Sequence, residues 1–220
     1  MDLVQLPQSI PLKIAHRAGE FEIANSQSRE TLGSKIEDAV PIGLVRKRVL
    51  FLKYADNPKV VVGCKSNDGE HPHPNQNFPS PNKPTLCSTC NYRTNVSEQP
   101  YTDPGTIACS NSWDMILLIE GKVHILSVSG SSVKEVARYA KYHQVHQTPL
   151  FVNLCSLHLE VAKSRNGTRY SQLSIKRGSE TNQEAWVSEY LPLYREWTDI
   201  LSQAPSKPAP SPAGGLTALD

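Results

Sequence analysis

Residues 115–144 read MILLIEGKVHILSVSGSSVKEVARYAKYHQ, and the pattern changes twice along them. Two apolar runs, MILLI and VHILSV, stand on either side of Glu120-Gly121-Lys122, which predicts a β-hairpin with Gly121 supplying the positive φ of a tight turn. From Ser132 the period becomes helical: Val133, Val136, Ala137 and Ala140 fall at i, i+3, i+4 and i+7, and Ser132 with Glu135 makes a capping-box pair. A hairpin running into one amphipathic helix sets the expectation for the remainder.

Outward from this segment the signals are those of strands. LVRKRVLFLKY (44–54) and VVVG (60–63) flank the turn ADNPK, while PLFVNLCSLHLEVA (149–162) and TRYSQLSIKR (168–177) flank Ser164-Arg165-Asn166-Gly167, whose Asn-Gly pair is a strong hairpin signal. Five or six strands interrupted by one helix predict a mostly β chain with α (α+β), arranged as an OB-like Greek-key barrel. A C-terminal helix, NQEAWVSEYLPLYREWTDIL (182–201), presents Trp186, Tyr190, Leu193, Trp197 and Ile200 for packing, with Pro192 expected to kink or divide it.

The domain plan follows from composition. The 220 residues are 38% hydrophobic and 20% charged, enough to bury a core. Residues 1–40, with Pro7, Pro11, Gly19, Ser26 and Ser28, predict a loosely ordered N-terminal arm; 41–178 predict the OB-like core; 179–202 carry the last helix. QAPSKPAPSPAGG and the tip LTALD make 203–220 a disordered Pro/Ala/Ser tail. No stretch approaches the roughly 20 apolar residues of a membrane helix, and MDLVQLPQSIPLKIAHRAGE lacks the charged-then-apolar order of a secretory signal. The expectation is a cytoplasmic chain, prokaryotic or phage-encoded, with no membrane partner.

In a reducing compartment five cysteines are too few for a disulfide scaffold. Cys64 ends VVVG, Cys87 and Cys90 form a CxxC in TLCSTCNY (85–92), and Cys109 precedes the strand near Trp113, so all four sit in or beside one proline-rich insertion, 64–109. A loop of that length in a compact domain needs a tie. One Zn2+ held by the four thiolates supplies it, with Cys87 and Cys90 binding from one turn and Cys64 and Cys109 clamping the ends. His71 or His73 in place of an outer cysteine is the alternative ligand set. A thioredoxin-like redox pair would open a helix after a strand, whereas Pro84 and NYRTNVSEQPYTDPG read as loop. Cys155, inside LFVNLCSLHL, reads as an inert core thiol.

Net charge is +2 but uneven: +4 over 41–63 and +7 over 121–178, against −3 over 64–120 and −4 over 179–220. Arg46, Lys47, Arg48 and Lys53 with Tyr54 form one basic-aromatic cluster; Arg165, Arg169, Tyr170, Lys176 and Arg177 form another, and the helix adds Arg138, Lys141 and Tyr142. Cations for phosphates and aromatic faces for bases are what a single-strand-binding surface requires. Catalytic constellations are scarce: Asp68, Glu70 and His71 lie in an Asn-Asp-Gly turn, four thiolates leave no open metal position, and no phosphate-binding Gly-rich loop or HExxH appears. No enzyme is expected.

The order of basic strand, GCKSNDG (63–69), polar loop, LCSTC (86–90), Ala108-Cys109, apolar hairpin and Ser-capped helix resembles a group of small phage and mobile-element proteins. That resemblance spans roughly 44–177, and the two-histidine, five-proline loop at 71–84 is longer than its pattern. It implies an OB-like single-stranded DNA-binding or accessory protein of DNA replication or recombination. The expectation is a zinc-stabilised protein that binds single-stranded DNA or RNA. The alternative is an adaptor that docks protein partners of a nucleoprotein complex through the zinc loop.

Overall fold

The computed structural model describes residues 10–14, 19–24, 29–54, 57–74, 76–78, 80–92, 106–164 and 166–203. In chain order the elements are β1 (Ile10–Ile14), β2 (Phe21–Ala24), β3 (Arg29–Gly33), β4 (Lys35–Tyr54), β5 (Asn57–Ser66), β6 (His73–Pro74), β7 (Thr106–Ile119), β8 (Lys122–Ser129), α1 (Val133–His146), β9 (Asn153–Lys163), β10 (Arg169–Glu180), α2 (Gln183–Ala185) and α3 (Leu191–Gln203). The class is α+β and mostly β. Two compact units divide the chain, Met1–Lys47 with Asn111–Ser202, and Arg48–Ser110 with Gln203–Asp220. Among the described residues no helix is long and apolar enough to cross a membrane.

In the first unit the strand order is β10-β9-β4-β7-β8-β1-β2-β3, an open path among the described residues. β7 and β8 form the expected hairpin, with Ile119 opposite Lys122 and both turn residues at positive φ, Glu120 at 50° and Gly121 at 74°. MILLI does not alternate because both faces of β7 are buried. Met115 and Leu117 join a core with Leu126, Val136, Tyr139, Leu157 and Leu173, while Ile116 and Leu118 join a second with Ile42, Phe151 and Trp197.

Residues 1–40 hold more order than their composition suggests. β1 pairs in parallel with β8, Leu12 opposite Leu126, and β2 and β3 extend the sheet; Leu12 and Phe21 are fully buried. The signal was weak because each strand is short and broken by polar turns. Residues 204–220, the expected tail, lie outside the described residues.

The helix at 133–146 forms where the periodicity places it, but its cap differs. Ser132 makes no capping bond; its buried hydroxyl instead accepts the Leu173 N–H at 2.9 Å, tying the helix start to β10. Glu135 pairs with Arg138 rather than closing a box. The buried face is Val136, Tyr139 and His143, shifted from the Val133-to-Ala140 stripe because the large aromatic and imidazole fill the core.

Pro192 divides the last helix in a specific way. Having no N–H, it leaves the Ser188 carbonyl without its helical donor, and the chain widens into a π-helical turn over Trp186–Tyr190, in which the Leu191 N–H reaches the Trp186 carbonyl. Trp186 Nε1–H donates to Thr181 Oγ1 at 2.7 Å, and the Thr181 hydroxyl donates to the Phe151 carbonyl at 2.5 Å. Trp197 is 3% exposed. Trp197→Ala should therefore destabilise the chain by about 3–5 kcal/mol in urea unfolding, whereas exposed Tyr194→Ala should stay within about 0.5 kcal/mol.

Among the described residues the second unit has a smaller buried apolar cluster. The end of β4 pairs with β5, Leu50 opposite Cys64 and Arg48 opposite Ser66, and β5 pairs with β6. Its buried cluster is Leu50, Leu52, Cys64 and Phe78, packed by Val61, Cys90, Tyr92 and Cys109. Of the four candidate ligands, Cys64 belongs to this cluster and Cys90 and Cys109 pack against it.

Candidate metal centre and nucleic-acid interface

Three segments bring the cysteines together. Cys64 stands near the end of β5, Cys87 opens a 3-10 turn that Cys90 closes, and Cys109 lies in the first part of β7. The Thr89 N–H and hydroxyl both donate to the Leu86 carbonyl, and the Cys90 N–H donates to the Cys87 carbonyl, which holds the CxxC in a tight knuckle. The knuckle is attached on both sides: Cys87 N–H donates to the Glu70 carbonyl at 2.7 Å, and Cys109 N–H donates to the Tyr92 carbonyl at 3.1 Å. All four cysteines line one small cavity of about 10 Å³, shared with Arg48, Ser66, Pro72, Phe78 and Tyr92. A space of that size takes about one water-sized sphere. None of the four is in a disulfide.

The electrostatics suit a cation. Burial, and then the neighbouring Cys87, Cys109 and Cys90, push the Cys64 thiol up to about 12, against a pull from the His73 backbone N–H. Burial also raises the Cys87 thiol, opposed by the Ser66 hydroxyl and the Arg48 cation, and raises the Cys109 thiol, opposed by Arg48. Four clustered sulfurs cannot share negative charge without a counter-ion, and a divalent metal reverses this preference by binding the deprotonated form.

Whether the residues fit a metal is tested by Arg48. Its side chain is buried, and its Nε and Nη1 have no hydrogen-bond partner. A buried cation with open donors needs an anion beside it, and a four-thiolate ion is one. The sulfurs are not yet closed on one point: among the described residues no group of three or more metal-ligating side chains has metal-holding geometry, and the Cys64 Sγ leans toward the Lys65 carbonyl at 3.7 Å. Donor type, donor number and cavity size suit zinc.

A consequence for pH follows from the raised thiols. Folding favours the neutral forms of Cys64 and of Cys155, the latter raised by burial to about 12, so their contribution is present below the ordinary thiol range and is lost as pH rises toward 12. Metal-free protein should lose urea stability between about pH 8 and about pH 11, and Cys64→Ser should reduce that loss. Zinc loading has the opposite sense, weakening as pH falls because each ligating thiol must release a proton.

The turn after β5 is an organised brace. Asp68 Oδ1 accepts the Ser66 hydroxyl at 2.9 Å and the N–H groups of Glu70 and His71 at 2.7 and 2.8 Å, and Oδ2 meets His71 Nδ1 at 2.6 Å. Burial would raise this carboxyl, but these donors together hold it well below the usual carboxylate range, and Asp68 in turn raises His71. His71 is thereby engaged away from the sulfurs, and neither its ring nor that of exposed His73 lines the cavity. The Ser-Asn-Asp-Gly signal read only as a turn; its role as the brace that places the Glu70 carbonyl under Cys87 was not visible.

The basic residues are spread over different environments. Arg46 is exposed and reaches Asn111 Oδ1 at 3.5 Å, Lys47 forms an ion pair with buried Asp114, and Arg48 is interior to the thiol cavity. Arg48 is therefore removed from the nucleic-acid set. The side chains of Lys53 and Tyr54, and the whole of Arg165, lie outside the described residues. In the first unit α1 and β10 bring a cluster together: the Arg177 guanidinium lies 4.2 Å over the Tyr142 ring, and His146 stacks on that ring at 4.1 Å. Lys141, Lys176, Arg169 and Arg138 are exposed, Arg138 being paired with Glu135, and Tyr170 is half-buried. Tyr142 thus acts as a stand for Arg177 more than as an open face.

The chain matches no protein-family model, no curated protein and no solved structure. The site's own chemistry therefore carries the functional argument. Beside the thiol cavity an open cleft of about 480 Å³ lies between Ser80–Thr85 and Thr89–Tyr92. Phe78 and Tyr92 meet edge to face there, with centroids 5.6 Å apart.

Proposed function

We propose that this chain is a zinc-stabilised single-stranded nucleic-acid-binding protein acting in replication, recombination or mobile-element DNA handling, and that it is not an enzyme. The observation that carries the metal part is that Cys64, Cys87, Cys90 and Cys109 line one ion-sized cavity together with a buried guanidinium whose Nε and Nη1 lack partners. Four thiolates would close the coordination shell, so the zinc would supply folding energy and no open position for chemistry. In that centre Cys87 and Cys90 bind from the knuckle, Cys64 and Cys109 hold the two strands, and Ser66 lies in hydrogen-bond reach of the Cys87 sulfur.

The nucleic-acid part is supported by the exposed cations around Arg177, Lys176 and Lys141, with Arg177 steadied by the Tyr142 ring. Such a surface neutralises phosphates, and a guanidinium plane offers bases a stacking partner. An OB-like barrel belongs to the same proposal. Its support is the length of β4, whose first part pairs with β9 and whose last part pairs with β5, the strand sharing that a Greek-key barrel uses.

Titrating poly-dT, duplex DNA and single-stranded RNA against the zinc-loaded chain at two salt concentrations tests the reading. Tighter binding to poly-dT than to duplex, weakening with salt, is expected. No binding at low salt would discard it in favour of an adaptor that docks protein partners through the zinc loop.

A further inference from the structure

We propose that Arg48 is the charge-compensating residue of the four-cysteine centre, a guanidinium placed on β4 to donate to metal-bound sulfurs and not to meet nucleic acid. The inference rests on the metal reading above and deepens it.

Arg48 is 6% exposed, and both Nε and Nη1 lack partners. Arginine cannot shed its proton in a protein, so it cannot escape burial by becoming neutral. Among the described residues Asp68 holds Ser66, Glu70 and His71, and the ion pairs link Lys35 with Glu37, Lys47 with Asp114, His71 with Asp68 and Arg138 with Glu135, none of them with Arg48. What does share the cavity with Arg48 is the set of four sulfurs. Its register opposite Ser66, two residues beyond Cys64 on β5, fixes it on the edge of that set.

A divalent ion with four thiolates carries two net negative charges in a poorly solvated place. One guanidinium halves that excess, and its forked N–H groups suit two sulfur acceptors at once in a way a lysine ammonium does not. Arg48 should therefore act with opposite sign in the two states of the protein. In the loaded chain it stabilises the thiolates; in the metal-free chain, with neutral thiols, its buried Nε and Nη1 are left without an acceptor. A residue that merely filled space would act with the same sign in both.

The test compares the parent chain with Arg48→Met and Arg48→Lys by two measurements, zinc affinity in competition with a chromophoric chelator and urea unfolding of the stripped, metal-free chain. Arg48→Met should weaken zinc binding by about ten- to a hundredfold while leaving the metal-free chain at least as stable as the parent. Arg48→Lys should fall between, and loaded Arg48→Lys should bind poly-dT as the parent does. Unchanged zinc affinity in Arg48→Met, or a parallel fall in zinc affinity and metal-free stability, would overturn the proposal. So would a loss of poly-dT binding in loaded Arg48→Lys, which would return Arg48 to the nucleic-acid surface. If Arg48→Met does not fold, Arg48→Gln decides by the same two measurements. A parent chain that takes up no zinc would instead defeat the metal reading itself, and with it the inference.

Discussion

Cys87→Ser or Cys90→Ser should release the metal and loosen the Arg48–Ser110 unit while the sheet around Leu117 and Leu157 stays folded. The size of the effect follows from what else that unit can bury. Leu50, Leu52, Cys64 and Phe78 are its buried apolar side chains among the described residues, and each contributes about 1.5–3 kcal/mol at most. Ordering the backbone costs about 1–2 kcal/mol per residue, so strand pairing and this cluster leave little margin. A structural four-thiolate zinc supplies about 10–16 kcal/mol at neutral pH. Hydrogen exchange before and after chelation should show reduced protection at Val61–Lys65 and unchanged protection at Met115–Leu118. Cys155→Ser should keep its zinc, because Cys155 is fully buried in the other core, among Leu157, Tyr139 and Ile175.

Removing Arg177 and Lys141 together should weaken single-strand binding and flatten its dependence on log salt by about 1.4, at about 0.7 per lost phosphate contact on a single strand. Tyr142→Ala should weaken binding indirectly, since the ring carries Arg177 at 4.2 Å and its loss frees that guanidinium. Each stacked base is worth about 1–3 kcal/mol, so a base resting on Arg177 would raise the loss above the electrostatic share. Fluorescence anisotropy with labelled oligo-dT reads both quantities. An unchanged slope in the double variant would place the binding face elsewhere.

What could be read from the sequence follows the physics of each signal. The β7–β8 hairpin and α1 were legible because a change of period and a Gly-containing turn are local properties. That Cys64, Cys87, Cys90 and Cys109 lie about one cavity was legible because a CxxC with flanking cysteines at the two ends of one insertion must be brought together when that insertion closes. Three features were not. The strands of residues 10–33 depend on partners distant in sequence, β8 for β1, and short polar-broken segments do not announce such pairing. Ser132 looks like a cap from its neighbours but serves Leu173, a contact only the tertiary fold creates. Arg46, Lys47 and Arg48 form one basic run in sequence, yet one is exposed, one is paired with Asp114 and one is buried with the thiols, because adjacent strand residues meet different surroundings.

The most direct test of the four-thiolate centre is X-ray absorption at the zinc edge of the full chain, with the zinc content measured on the same sample. One zinc per chain in a single shell of four sulfurs at about 2.3 Å is the result expected. A chain without zinc, or a shell that includes nitrogen or oxygen at about 2.0–2.2 Å, would contradict it.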